Sequence, residues 1–297
     1  MPCTRPQKAY RSQKKTDNGK YGVTFVPNKG YTDWNITLPC GQCLSCRLEK
    51  SRQWALRCVH EMREHQNNSF ITLTFDDEKL QDPLQNVTLI KKDFQLFMKR
   101  LRKNTKNKIR YFHCGEYGEK FSRPHHHAIL FGYDFEDKTE TEPSKKGLKQ
   151  WESGTLNKAW QNQGRAVIGE ANFETSAYVA RYCLKKLNGV GAEDYYNGRQ
   201  PEYTTMSRRP GIGATYFDKY KEETYRDDYI ILRDKKVRPP KFYDRLLEKT
   251  PGGAEQLEQI KINRFKSASK HEDYNDLTRL YEKELYTELT QLAKKER

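Results

Sequence analysis

Two short apolar runs, "IRYFHCGEY" (109–117) and "HHHAILFG" (125–132), flank the seven residues "GEKFSRP", and that spacing limits what the chain can fold into more than any other feature. Runs rich in Ile, Tyr and Phe, joined by a link containing Gly, Ser and Pro, read as an antiparallel hairpin. Side chains at i and i+2 of a strand leave the same face about 7 Å apart at Cα. His125 and His127 therefore share a face and His126 takes the other. Three imidazoles at the head of a hydrophobic run are poor core material, because each neutral ring brings a donor and an acceptor that burial must satisfy. Pairing of the two runs brings Glu116 near His125, so two imidazoles and a carboxylate can converge on a divalent cation with open positions. His113 and Glu119 are rival third ligands while the register is open, and a surface basic or pH-sensitive cluster is the non-metal alternative.

Around this hairpin the periodicity alternates. Residues 1–40 read as turns and short strands such as "YGVTFVP" and "YTDWNITLP". A helix of roughly 43–65 carries Leu44, Leu48, Ala55, Cys58, Val59 and Met62 largely at spacings of three and four. "SFITLTFDD" (69–77) alternates as a strand, and "KKDFQLFMKRLRK" places Phe94, Phe97, Met98 and Leu101 on one helical face. After the hairpin, "DFEDKTETEPSKKG" reads as an exposed loop, "TLNKAWQN" as a short helix, "RAVIGEA" as a strand and "FETSAYVARYCLKKL" (173–187) as a helix. A Gly- and Tyr-rich segment (188–214) breaks the pattern. From about 215 the chain reads as helical and charged, with Leu277, Leu280, Tyr281, Leu285 and Leu289 at helical spacing. The whole is mixed α and β, without internal repeats or low-complexity tracts.

The 297 residues carry 55 Lys and Arg against 40 Asp and Glu, a formal charge of +15. That excess favours a polyanionic partner through phosphate contacts and counterion release, and an aromatic content of 12% adds stacking surface. Lys99, Arg100, Arg102 and Lys103 cluster on one predicted helix and Arg208 and Arg209 lie in "MSRRPG"; either group can track a DNA backbone or form a solvated face. No apolar run approaches a membrane span and no hydrophobic segment follows the basic N-terminus, so the expected location is the cytoplasm of the cell that makes the protein, with no membrane partner.

Seven cysteines do not read as a secreted disulfide framework. Cys40, Cys43 and Cys46 in "CGQCLSC" have spacing shared by zinc and iron–sulfur ligation, with Cys3 a candidate fourth ligand. A structural Zn would staple the first 40 residues to the helix that follows. Cys58 and Cys183 read as packing residues. Tyr178 and Tyr182 lie one turn apart on a helix, followed by Lys185 and Lys186. A phenol with a pKa of about 10 is a weak nucleophile that nearby positive charge would help; ordinary core packing is the alternative.

The segments "LPCGQCLSCRLEKSRQWALRC", "SFITLTFDD", "KDFQLFMKRLRK", "CGEYGEKFSRPHHHAILFG" and "AYVARYCLKK", in unbroken order over most of 1–190, resemble the replication initiators of small single-stranded-DNA phages, the gokushovirus branch of the microviruses. These are similar to the HUH endonucleases that start rolling-circle replication. The resemblance weakens beyond about 220. It implies an α+β fold, a central antiparallel sheet flanked by helices, with a cysteine-containing N-terminal segment (1–42), an HUH-type nuclease domain (43–214) and a helical, charged C-terminal region (215–297). It also implies that His125 and His127, with Glu116 as third ligand, bind Mg or Mn, that Tyr178 and Tyr182 are nucleophiles, and that Lys185 stabilises phosphate charge or orients a tyrosine. One departure is His126, where the pattern has a hydrophobic residue. The implied activity is nicking and rejoining of single-stranded origin DNA through a 5′-phosphotyrosine link in the bacterial host, with the C-terminal helix available for self-association or a host helicase or polymerase. A non-catalytic zinc-containing nucleic-acid-binding protein and a metal-dependent hydrolytic nuclease are the competing readings.

Overall fold

The computed structural model describes residues 3–16, 21–76, 78, 88–105, 108–118, 122–144, 147–185 and 192–269, with backbone alone at 35, 182–185, 192, 265, 268 and 269. The C-terminal helical stretch carrying Leu277, Leu280, Tyr281, Leu285 and Leu289 (272–295) and the rival ligand Glu119 lie outside the described residues. Two compact units result, one formed by 51–260 and one containing the residues before and after that span.

In the first 50 residues, β1 (Gln7–Lys15), β2 (Tyr21–Thr24) and β3 (Gly30–Leu38) form an antiparallel sheet of order β2-β1-β3. β2 and β3 fall on the two quoted β-branched and aromatic runs. β1, "QKAYRSQKK", was not legible: it is almost wholly polar, and its ladder partners on both sides, rather than any alternation, make it a strand. Helix α1 (Leu44–Arg63) follows.

The larger unit is built on β4 (Asn68–Thr74), α2 (Lys91–Lys103), β5 (Arg110–Tyr117), β6 (Pro124–Phe131), β7 (Thr139–Thr141), β8 (Gln150–Glu152), α3 (Gly154–Trp160), β9 (Ala166–Glu170), α4 (Phe173–Lys185), α5 (Ala192–Tyr196) and β10 (Tyr203–Met206). Its seven strands pair antiparallel in the order β10-β5-β6-β4-β9-β8-β7. The α+β fold is thus a large antiparallel sheet flanked by helices, as the resemblance implies. The hairpin register pairs Glu116 with His125 and Cys114 with His127, while β4 places Thr72 opposite His127 on the other side of β6.

Strand alternation sorts the sheet into two faces. Ile71, Leu73, Ala128, Leu130 and Ile168 pack with Phe94, Phe97 and Leu101 of α2 and Trp160 of α3. On the other face Phe112, Cys114, Ile129 and Phe131 pack with Cys58 of α1 and Val179 and Ala180 of α4. Spacings of three and four on α2 explain why Phe94, Phe97, Met98 and Leu101 are its buried residues. Helix α4 starts at a reciprocal cap: the Thr175 amide donates to Asn172 Oδ1 and the Asn172 amide to Thr175 Oγ1, each at 2.9 Å.

Several short elements depart from the expectations. β7 lies inside the predicted exposed loop and pairs with β8. β10 lies inside the irregular 188–214 segment and extends the sheet at β5. The region after 215 does contain α6 (Ala214–Arg226), α7 (Lys241–Leu247) and α8 (Gly253–Ser269), but a small hairpin of β11 (Ile230–Leu232) and β12 (Lys235–Val237) interrupts it. All are short, of three or four residues in the strands, and none has enough length to show a period. No helix among the described residues is long and apolar enough to cross a membrane.

Candidate active site

The three histidines of β6 divide as strand geometry requires. His126 faces α2 and α3, fully buried among Phe75, Phe94 and Trp160, and its Nδ1 lies 3.1 Å from His113 Nε2. His113 in turn reaches Thr205 Oγ1 on β10 at 2.9 Å and stacks on Phe94. Burial keeps both rings neutral: it lowers the His126 pKa to about 3 and holds His113 well below the ordinary value. His113 is therefore on the wrong face to join His125 and His127, and a polar pair inside the core accounts for the middle histidine.

On the α4 face, His127 Nε2 is 2.7 Å from Glu116 Oε1 and its Nδ1 2.9 Å from Thr72 Oγ1. The Tyr178 hydroxyl donates to the same Glu116 oxygen at 3.3 Å, and its ring stands edge-on to His127 at 5.0 Å. Phe70 lies parallel to the His127 imidazole. A carboxylate only accepts, so with Glu116 ionised Nε2 of His127 carries the proton and Nδ1 accepts from Thr72; the hydroxyl can serve either tautomer. His125 stands parallel to His127 with ring centres 6.4 Å apart. Its Nδ1–H donates to the Arg123 carbonyl at 2.6 Å, which leaves Nε2 with a free lone pair. Burial lowers the His125 pKa against the opposing pull of that carbonyl, so the lone pair is retained near neutral pH.

Glu116 is almost wholly buried, and its second oxygen, Oε2, has no hydrogen-bond partner among the described residues. An orphaned carboxylate oxygen beside two imidazoles is a donor set that suits a hard divalent cation. Among the described residues, Tyr178 is the α4 side chain that bonds into this site. Tyr182 and Lys185 fall one and two turns further along the helix, where the backbone alone is described.

Beside His125 opens a cleft of about 460 Å³ lined by Thr74, Phe75, Asp76, Gly118, Arg123 and Arg165. Gly118 closes the link by donating to the Arg123 carbonyl at 2.8 Å, and a Cβ there would stand 2.9 Å from His125 Cε1. Thr72, Arg123, Asp76 and Arg165 were not picked out in the sequence. The "TLT" strand and the arginine inside the hairpin link were the available signals, and only the register shows that they meet.

The predicted basic residues disperse. Arg100 donates to the Ala159 carbonyl and Arg102 to the Ile109 carbonyl, while Lys99 and Lys103 are exposed. Arg102 nevertheless joins Arg208 and Arg209, with Lys108 and Arg110, around a second cleft of about 430 Å³.

In the N-terminal unit, Cys3, Cys40, Cys43 and Cys46 bring four sulfurs within 4.8 Å of one another. Among the described residues this is the one set of three or more metal-ligating side chains that close; His125, His127 and Glu116 are more widely spread. The Cys3 sulfur is 3.5 Å from that of Cys40 and 3.9 Å from that of Cys43, which brackets the edge of about 3.8 Å of a tetrahedron with Zn–S bonds near 2.3 Å. Amides of Cys40 and Cys43 donate to Cys3 and Cys40 sulfurs. Burial raises the thiol pKa of Cys3 and Cys46, whereas at Cys43 bonds from Thr4 and Cys46 overcome burial and lower it to about 6. The quartet can hold a metal ion.

Fold and site together define an α+β protein in which histidines of a central strand, a carboxylate of its hairpin partner and a tyrosine of a covering helix cluster beside an arginine-containing cleft. Residues 68–187 match the family described as replication-associated protein ORF2/G2P. The chain is 33% identical over 287 residues to the replication-associated protein ORF2 of Spiroplasma virus 4, covering 91% of this chain and 88% of that one. It is 32% identical to the replication-associated protein VP4 of Bdellovibrio phage phiMH2K, over 82% and 76% of the two chains, and 29% identical to ORF4 of Chlamydia phage 1, over 81% and 61%. The protein belongs to this family of phage replication-associated proteins, the replication initiators. No solved structure matches it.

Proposed function

We propose that the protein nicks and rejoins single-stranded phage DNA at the replication origin by a metal-dependent tyrosine transesterification. The observation that carries this reading is the Tyr178 hydroxyl bonded to a Glu116 oxygen that also bonds His127. His125, His127 and Glu116 would hold Mg or Mn, whose positive charge would favour attack on a scissile phosphate. Arg123 and Arg165 of the adjoining cleft would hold the neighbouring backbone phosphates. Tyr178 oxygen forms a bond to phosphorus as the bond to the 3′ oxygen breaks. The phenolic proton passes towards Glu116 Oε1, and the departing oxygen takes up a proton to become the 3′-hydroxyl that primes synthesis. Tyr182 makes the second cut after a round of copying, and the liberated 3′-hydroxyl then attacks the first phosphotyrosine, so bonds broken and formed balance. Lys185 stabilises phosphate charge.

On this reading catalysis belongs to 43–214, with 1–42 and 215–297 as adjuncts, and the second cleft around Arg102, Arg208 and Arg209 tracks the strand together with Lys99, Arg100 and Lys103. The cysteine quartet holds a structural Zn. The setting is the cytoplasm of the bacterial host, where a host helicase or polymerase can dock on the C-terminal region.

The test is incubation with labelled circular single-stranded DNA and Mn, followed by denaturing electrophoresis. A labelled band that survives denaturation, and vanishes with chelator and in the Tyr178→Phe/Tyr182→Phe double variant while DNA binding persists, is the expected result. Attachment retained by the double variant removes the nucleophile assignment. Cleavage without attachment would instead identify a hydrolytic nuclease, and binding with neither a non-catalytic binding protein.

A further inference from the structure

The sheet of the N-terminal unit exposes aromatic rings that a small isolated sheet would ordinarily cover. Trp34 is 49% exposed, Tyr31 38% and Tyr21 36%, and Phe25, just past β2, 57%. The first three are assembled into one surface: Tyr21 lies 6.0 Å from Tyr31 and 5.8 Å from Trp34 between ring centres. Register places Arg11 opposite both Val23 and Tyr31 and Lys15 opposite Tyr21, with irregularities in the ladder on either side of Arg11. The Arg11 guanidinium stands 5.8 Å from the Trp34 ring and the Lys15 ammonium 5.3 Å from the Tyr21 ring. Arg11 Nη1 also donates to the Tyr21 carbonyl at 3.4 Å, which holds the guanidinium beside these rings.

A face meant for another protein's core would carry aliphatic residues and few charges. Here cations are threaded between flat rings, and residues 3–38 hold seven Lys and Arg against two Asp. Rings offer stacking to successive bases while the interleaved cations meet the phosphates between them, which is the pairing of features that binds single-stranded nucleic acid without reading its sequence.

We propose that the aromatic and cationic face of the β2-β1-β3 sheet is a second, sequence-tolerant binding surface for single-stranded DNA, separate from the histidine site. The proposal rests on the reading of this chain as one that handles single-stranded DNA, and it assigns Trp34, Tyr31 and Tyr21 as stacking platforms and Arg11 and Lys15 as phosphate contacts.

The experiment uses the full chain and a fluorescently labelled dT12 oligonucleotide, with anisotropy for affinity and tryptophan emission for stacking. Trp34→Ala and Tyr31→Ala are each expected to weaken binding about tenfold, the effect of losing one base stack of 1–3 kcal/mol. Trp34→Phe should keep most of the affinity but remove the quenching of tryptophan emission by the oligonucleotide. This conservative variant decides the matter if an alanine variant misfolds, which circular dichroism and metal content would reveal. Folded alanine variants that bind dT12 within twofold of the parent chain overturn the proposal, as does quenching that persists in Trp34→Phe. Unchanged DNA affinity with loss of self-association in sedimentation would also overturn it and make the face a contact between copies. Covalent attachment is scored separately. A chain that never attaches to DNA yet loses dT12 affinity in Trp34→Ala contradicts the catalytic reading alone, and one that attaches while Trp34→Ala binds normally contradicts this proposal alone.

Discussion

At the scale of single residues, the site depends on how two imidazoles are aimed. Thr72 Oγ1 on His127 Nδ1 holds that ring's orientation and can switch between donor and acceptor as Nε2 gains or loses its proton. Thr72→Val removes the switch while nearly conserving shape. On the proposed mechanism, in which His127 holds the metal, DNA attachment is expected to fall by roughly 10–100-fold, the usual cost of losing a ligand's supporting bond, with the melting temperature little changed; attachment at the parent rate would count against the role. Gly118 acts by being small. Its missing Cβ leaves room for the His125 ring, so Gly118→Ala should displace that imidazole and reduce attachment about tenfold or more, measured against unchanged circular dichroism. The pairing of His125 and His127 was legible from the period of a strand. The opposition of Thr72 and the closeness of Gly118 were not, because both depend on which residues face each other across a ladder or a turn.

At the scale of elements, α1 is tied to α7 through His60. Its Nδ1 bonds the Tyr243 hydroxyl at 2.8 Å, the ring stacks on Tyr216, and both His60 and Tyr243 are essentially inaccessible. Burial, reinforced by Arg63, lowers the His60 pKa to about 3. An unfolded chain takes up this proton below about pH 6.5, whereas the folded one refuses it until near pH 3. Stability from this group is therefore complete above about pH 6.5 and is lost as pH falls towards 3, at up to about 1.4 kcal/mol per pH unit. The buried His113 and His126 act in the same direction. Denaturant titrations between pH 7 and 4.5 should show falling stability, and His60→Gln should flatten part of that slope. An unaltered slope in the variant would mean that His60 does not contribute. The long elements α1, α2, β4, β5, β6 and α4 were visible as periodic runs, since each spans at least two repeats of its own period. β1, β7 and β10 were hidden, because short or polar strands, whether central like β1 or at a sheet edge like β7 and β10, are made strands by their neighbours' hydrogen bonds.

At the scale of the whole molecule, two compact units have different sources of stability. The larger unit has apolar clusters on both sides of a seven-stranded sheet. The N-terminal sheet has three strands, buries little apolar surface, and adjoins a cysteine quartet spaced for a metal. With Zn bound there, metal affinity becomes folding free energy of that unit. Chelation, or Cys43→Ser, should create an earlier thermal transition while the main one stays in place; a single unshifted transition in protein shown to be metal-free would remove the structural role. Metal analysis with a visible spectrum separates Zn, which is colourless, from an iron–sulfur cluster.

What the sequence determined by itself was the set of local periods: which residues alternate, which repeat every three or four positions, which histidines share a face, and how closely the cysteines are spaced. Those follow from backbone geometry, which is the same in every chain. Tertiary structure alone decided the register that sets Glu116 across from His125, the fate of His126 as half of a buried pair with His113, the convergence of Arg102 with Arg208 and Arg209, and the gathering of Tyr21, Tyr31 and Trp34 on one face. Each joins residues far apart in the chain, or on different strands, whose proximity comes from ladder pairing and packing against a shared sheet.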